Sequence, residues 1–221
     1  YAREATRGEQ LMKIISPLRY PGGKSVMAGL LQNIRRLNGL SDRSIAEPFA
    51  GGAGASLSLL IKEETPEIFI NDADPSVHDF WWAVVKRPES FSRMLRTTRV
   101  SLAEWYRQRA TYRNRQTKSQ LIRGFSTFFL NRCNRSGIVM NGGPIGGISQ
   151  KGKWKINARF NKDDLQKRCE KIAEYRDRIH ISDQDGIKFI GDQNPKKTFF
   201  FIDPPYYEKG RMIYLNALSK S

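Results

Sequence analysis

Two cysteines and two histidines in 221 residues leave little material for a disulfide framework or a structural zinc site. Cys133 and Cys169 lack metal-ligand spacing and are too few to staple a domain, so reduced thiols in a cytosolic protein are the expected state. No apolar run approaches the roughly 20 residues of a membrane span. The N-terminal residues lack a signal-peptide core, and no internal repeat is evident. Acid is scarce in one place only. Between Lys86 and Arg178 lie 23 of the 38 lysines and arginines but 7 of the 22 acidic residues, so the whole formal excess of +16 falls in that segment. A cationic segment of this size favours a polyanion, most often nucleic acid. A solvated basic surface or an acidic protein partner is the alternative.

What is present reads as an α/β protein. "SPLRYPGGKSVMAGLLQNIRRL" (16–37) is a Pro-Gly-Gly turn followed by an amphipathic helix. "SIAEPFAGGAGASLSLLI" is a strand at about 44–48, a loop of small residues and a helix, and "EIFIND" (67–72) is a second strand ending in an acid. "PSVHDFWWAVVK" opens another helix. This alternation predicts parallel βαβ units in a doubly wound, Rossmann-like sheet. From Arg87-Pro88 the pattern becomes basic and mainly helical, with "SQLIRGFSTFFLNRC" its strongest amphipathic stretch. A Gly-rich stretch, "NRSGIVMNGGPIGGISQKGKWKIN", reads as a loop or β-hairpin. "RIHISDQDGIKFI" and "KKTFFFIDPPYY" then resume the strand pattern. The expected organisation is a catalytic domain over 12–85, a basic insertion over 86–178 and the catalytic domain again over 179–221.

Several residues stand where chemistry is expected. The loop "FAGGAGAS" (49–56) joins a strand to a helix, the position where doubly wound domains bind cofactors. A dinucleotide fingerprint would need glycine at position 57, which is Leu57, so a nucleoside fits better than a pyrophosphate. Asp72 lies 21 residues beyond Gly51, an offset at which an acid accepts both hydroxyls of a ribose. An Asx turn or a helix cap is the other reading for Asp72, and Asp74 could supply that cap. Lys24 falls in the first turn of a helix, where a cation either points into water or meets an anion.

The stretch "FFFIDPPYYEKG" (199–210) ends a buried strand in a carboxylate and two prolines. Proline restricts the residue before it and has no amide hydrogen, so Asp203 and Pro204 form a rigid edge rich in acceptors. That edge matches an exocyclic amino group, which presents two N–H donors, and the ring of Tyr206 could stack on the attached base. A plain Pro turn accounts for the prolines but not for the acid and the aromatic together.

In the order "RYPGGK", "AEPFAGGAG", "IND", a basic segment containing "FFLNRCNRSG", then "DPPY", the chain resembles the Dam-type, alpha-group adenine-specific DNA methyltransferases over about Ser16 to Tyr214. The resemblance implies S-adenosylmethionine as methyl donor, bound by Tyr20, Lys24, Phe49, Asp72 and Asp203 with glycines 51–54 lining the pocket. It implies Asp203, Pro204, Pro205 and Tyr206 as the catalytic group, and places Asp185 near the cofactor's adenine. The basic segment corresponds to the family's recognition domain for double-stranded DNA. Within it, Arg132, Lys153 and Arg159 are our own expectation for residues near the DNA. Neither a metal nor a membrane is expected to take part. The family continues past "RMIYLNALSKS" into further sheet and helix, so the expectation is either a C-terminal part beyond this sequence or a truncated form of the enzyme. A catalytically silent DNA-binding homologue and an RNA adenine methyltransferase are the competing readings.

Overall fold

Among the described residues, four short strands form one sheet, and all of them run parallel. The computed structural model describes residues 15–20 and 24–204, with Lys24 by its backbone alone. The Pro21-Gly22-Gly23 turn, Pro205, Tyr206 and the chain on to Ser221 lie outside the described residues. The strands are β1 (Ser44–Glu47), β2 (Ile68–Asn71), β3 (Ile179–Ser182) and β4 (Thr198–Phe200), in the spatial order β3-β2-β1-β4. All four residues of β1 are buried, as a parallel strand covered on both faces requires. The chain lays down β1, β2 and β3 in one direction and then returns to the far side of β1. The carboxyl ends of β1 and β4 therefore flank a topological switch point, where open α/β sheets bind ligands.

Lys24–Met27 form a 3-10 turn leading into α1 (Ala28–Leu37). Helix α2 (Gly54–Ile61) connects β1 to β2, and α3 (Pro75–Lys86) follows β2. Asp74 caps α3 by accepting the Ser76 amide at 2.7 Å, with Pro75 at the first helical position. Then come α4 (Pro88–Thr97), α5 (Leu102–Arg113), α6 (Gln120–Cys133) and α7 (Lys162–Glu174) before β3, and α8 (Gly186–Asp192) before β4.

Helix α6 differs from the amphipathic expectation: every residue from Gly124 to Asn131 is buried. The reason is its position, with α3, α4 and α5 packed against it and Phe160 lying on Phe128 at 5.5 Å between centroids. Helices α3 and α6 cross at Gly124. A Cβ there would lie 2.2 Å from the Asp79 carbonyl oxygen and 2.9 Å from Ala83 Cβ, so this crossing needs glycine. Beside it Asp79, 3% exposed, receives Arg123 Nε at 2.7 Å and Nη2 at 3.0 Å, and also Arg115. The buried carboxylate is thus paired twice rather than left uncompensated. Phe80 of α3 stacks on Phe128, and Phe91 of α4 meets the same ring edge-on at 5.3 Å. These rings come from both sides of Lys86, so a single hydrophobic cluster runs from the sheet into the basic segment.

The Gly-rich stretch after α6 is a loop closed by one antiparallel bridge, Asn134 to Pro144, rather than a two-stranded hairpin. Cys133 and Cys169 are free and buried. Burial pushes the Cys169 thiol up to about 12 and the Cys133 thiol higher still. Among the described residues no helix is long and apolar enough to cross a membrane.

Gly124→Ala is expected to destabilise the fold by about 3 kcal/mol through overpacking at the α3–α6 crossing, read from the urea midpoint. Neither thiol should react with a neutral-pH alkylating reagent in the folded protein, and both should react once it is unfolded, followed by mass spectrometry.

Candidate active site

The site is built around Gly51, just past the end of β1. Its φ of +49° suits glycine, and a Cβ there would lie 2.7 Å from the Tyr20 ring. The Gly51 amide donates to Asp72 Oδ2 at 2.8 Å, and its carbonyl accepts the Trp81 indole N–H at 2.8 Å. One residue therefore meets the segment before α1, the end of β2 and helix α3 together. Gly52 lies under Ser16 and Tyr20 in the same way, and Gly54 under the Ser25 amide. The small-residue loop is thus shaped first by the protein's own Tyr20. Glu47, 2% exposed, ends β1 and accepts the Ser56 amide at 3.0 Å and the Ser56 hydroxyl. Its charge sits at the positive end of α2.

At the end of β2, Asp72 Oδ1 accepts the Asp74 amide at 2.9 Å while Oδ2 takes Gly51. Two backbone donors hold the carboxylate in one orientation. Asp74, not Asp72, caps α3. The neighbouring Asn71 was not singled out from the sequence, yet it joins three strand ends. Its side-chain amide donates to Pro48 O and Gln184 O, both at 2.9 Å, and accepts from the Ser182 hydroxyl at 2.7 Å and the Gln184 amide at 2.9 Å. Its only signal was its place in "IND". Gln184 Oε1 is buried without a hydrogen-bond partner at this edge.

Asp185 caps α8, accepting the Ile187 and Lys188 amides. The next residue, Gly186, lies against the Phe49 ring, 2.6 Å from where its Cβ would be. On the other side of β1, Ala46 pairs with Phe200 and its carbonyl accepts the Phe201 amide at 2.9 Å. Asp203 is half-buried and Pro204 exposed just past β4. The fold thus brings Tyr20, Phe49, Asp72 and Asp203 to one edge of the sheet, with the Lys24 backbone opening the adjacent 3-10 turn. Pro205 and Tyr206 lie outside the described residues.

The segment carrying Tyr20 is held from the basic insertion. Asn131 of α6, 3% exposed, accepts the Arg19 amide at 2.7 Å and donates to the Arg19 carbonyl at 2.8 Å. It pairs with that backbone as a neighbouring strand would. The same side-chain nitrogen donates to Gly137 O at 3.0 Å. Arg19 Nη1 reaches Asn134 O at 2.8 Å, Arg168 reaches Ser16 O at 3.2 Å, and Arg132 reaches Pro17 O at 3.4 Å and Arg159 O at 2.7 Å. Burial pulls the Arg132 guanidinium down to about 10, with Arg168 and Arg19 adding to the shift. Lys153 and Arg159 are exposed. Between Tyr20 and the insertion lies a pocket walled by Asp74, Ser76, Tyr112, Asn131 and Ser136. Removing the amide in Asn131→Ala leaves the Arg19 N–H and C=O unpaired and is expected to cost about 3 kcal/mol, measured by urea unfolding.

The family description "D12 class N6 adenine-specific DNA methyltransferase" matches residues 20–218 of this chain. Among curated proteins no match was found. The matched span contains all four strands, the Gly51 loop and Asp72, as well as the whole basic segment between β2 and β3. The chain therefore belongs to the D12 class N6 adenine-specific DNA methyltransferases, enzymes that methylate adenine in DNA.

Proposed function

We propose that the methyl donor is S-adenosylmethionine, bound at the carboxyl ends of β1 and β2, and that the acceptor is the amino group of an adenine turned out of duplex DNA. The observation that carries this reading is the switch point. It brings Asp72 and the Tyr20-packed glycine loop to the same sheet edge as Asp203. The donor set fits a nucleoside. Asp72 is oriented to accept ribose hydroxyls, Phe49 offers an aromatic wall, and the unpartnered Gln184 Oε1 suits an N–H donor on the cofactor's adenine. Lys24 and Tyr20 would bind at the methionine end.

Bound S-adenosylmethionine supplies an electrophilic methyl group on a sulfonium. The chain's part is to make a poor nucleophile competent. The amino nitrogen of adenine is weak because its lone pair is delocalised into the ring. The Asp203 carboxylate and the Pro204 carbonyl would each accept a hydrogen bond from one of its N–H groups and favour localisation of the lone pair. The surplus proton on the methylated nitrogen would pass on to solvent. Positioning then accounts for much of the rate, aided by the Asp203 charge as positive charge develops on nitrogen. Turning the base out costs roughly a few kcal/mol. Stacking on the Tyr206 ring, worth about 1–3 kcal/mol, offsets much of this.

Duplex DNA would lie on the basic segment. Lys153 and Arg159 are exposed and suit phosphate contact. Arg132 donates to the Arg159 carbonyl, which supports a role in holding that segment against the DNA.

Labelled methyl transfer to duplex DNA, with digestion to nucleosides, tests the reading. The expected product is N6-methyladenine, abolished by Asp203→Ala. Asp72→Ala should weaken S-adenosylhomocysteine binding at least about tenfold in calorimetry. Cofactor binding without transfer would instead support the silent homologue, and label in RNA alone would support an RNA substrate.

A further inference from the structure

Four tryptophans occur in the chain: Trp81 and Trp105 are buried, 1% exposed, and Trp82 is half-buried. Trp154 is 62% exposed. An indole held in water forgoes the burial that usually stabilises it, so its surroundings carry information. It stands in the loop after α6, between Lys153 and Lys155, in a stretch where no acidic residue occurs between Glu104 and Asp163.

The loop beneath Trp154 is closely braced. Gly146 has a φ of +84°, and a Cβ on it would lie 2.5 Å from the Trp154 carbonyl oxygen. Gln150 donates to Ile145 O at 2.8 Å and Gly147 O at 2.6 Å, and accepts the Ile156 amide at 2.9 Å. Lys155 Nζ donates to Gln150 O. The main chain is therefore tied on both sides of a ring that is left outside. The Lys153 ammonium sits 5.8 Å from the ring centroid, and Lys151 and Arg159 are exposed nearby in sequence. A simple polyanion would need only the cations. An exposed, backbone-braced aromatic among them fits a polyanion that also offers flat π faces.

We propose that Trp154 is a stacking residue for DNA: its indole lies on a nucleobase exposed in the bound duplex, while Lys153 and its basic neighbours meet the flanking phosphates. This rests on duplex DNA being the substrate. Stacking is tolerant of sequence because every base has a π face, so Trp154 adds affinity wherever a base is unstacked and does not read which base it is.

The test uses the whole chain and a fluorescent DNA duplex with a single A·C mismatch, in which a base is already loosened. Trp154→Ala should weaken binding about tenfold and leave the salt dependence unchanged. Lys153→Ala should lower the log–log salt slope by about one. Trp154→Phe should keep most of the affinity yet lose the tryptophan quenching seen when the parent binds. Parental affinity in Trp154→Ala, or quenching that persists in Trp154→Phe, overturns the proposal and leaves DNA binding standing. Failure of the parent chain to bind this duplex, or tighter binding to the same sequence in RNA, overturns the proposal together with the reading of the substrate.

Discussion

The hydrogen bond from the Gly51 amide to the Asp72 carboxylate is the constraint on which the site depends. It ties the loop after β1 to the end of β2, and it exists only because residue 51 can adopt a positive φ under the Tyr20 ring. Any side chain at 51 would strike that ring, and any shift of the ring would alter the wall of the pocket. Asn71 extends the same constraint to the loop after β3. Three strand ends are thereby tied to one another.

The basic insertion is built into this arrangement. Asn131 lies on α6 and holds Arg19 by both backbone groups, so a central helix of the basic segment also positions Tyr20. The Asp79–Arg115–Arg123 cluster fastens the same helix to α3, whose first residues follow Asp72. Part of the cationic excess therefore serves inside the fold, and net charge alone overstates how many cations face a partner.

Much of this was legible in the sequence. The apolar runs gave parallel strands, Asp74-Pro75 marked the start of α3, and Asp72 and Asp203 stood at strand ends because acids there interrupt apolar patterns. The Asn131–Arg19 pairing was not legible, since its partners lie 112 residues apart and an asparagine within a helix has many possible partners. Nor could the sequence say which aromatics of the basic segment are core: only long-range packing buries Trp105 and leaves Trp154 outside. The hydrogen bonds of Arg132 to Pro17 and Arg159 were not legible either, because a charge pattern carries no record of which carbonyls lie within reach.

The arginines that grip Ser16, Pro17 and Asn134 do so through main-chain carbonyls. A carbonyl is the same at every residue, so such a grip recognises the path of the chain and not its side chains. The grip therefore fixes the course of residues 16 and 17 through their backbone, while Leu18 is held by its own buried side chain. An inserted residue or a proline at position 19, which would remove the amide that Asn131 accepts, would break the course at once.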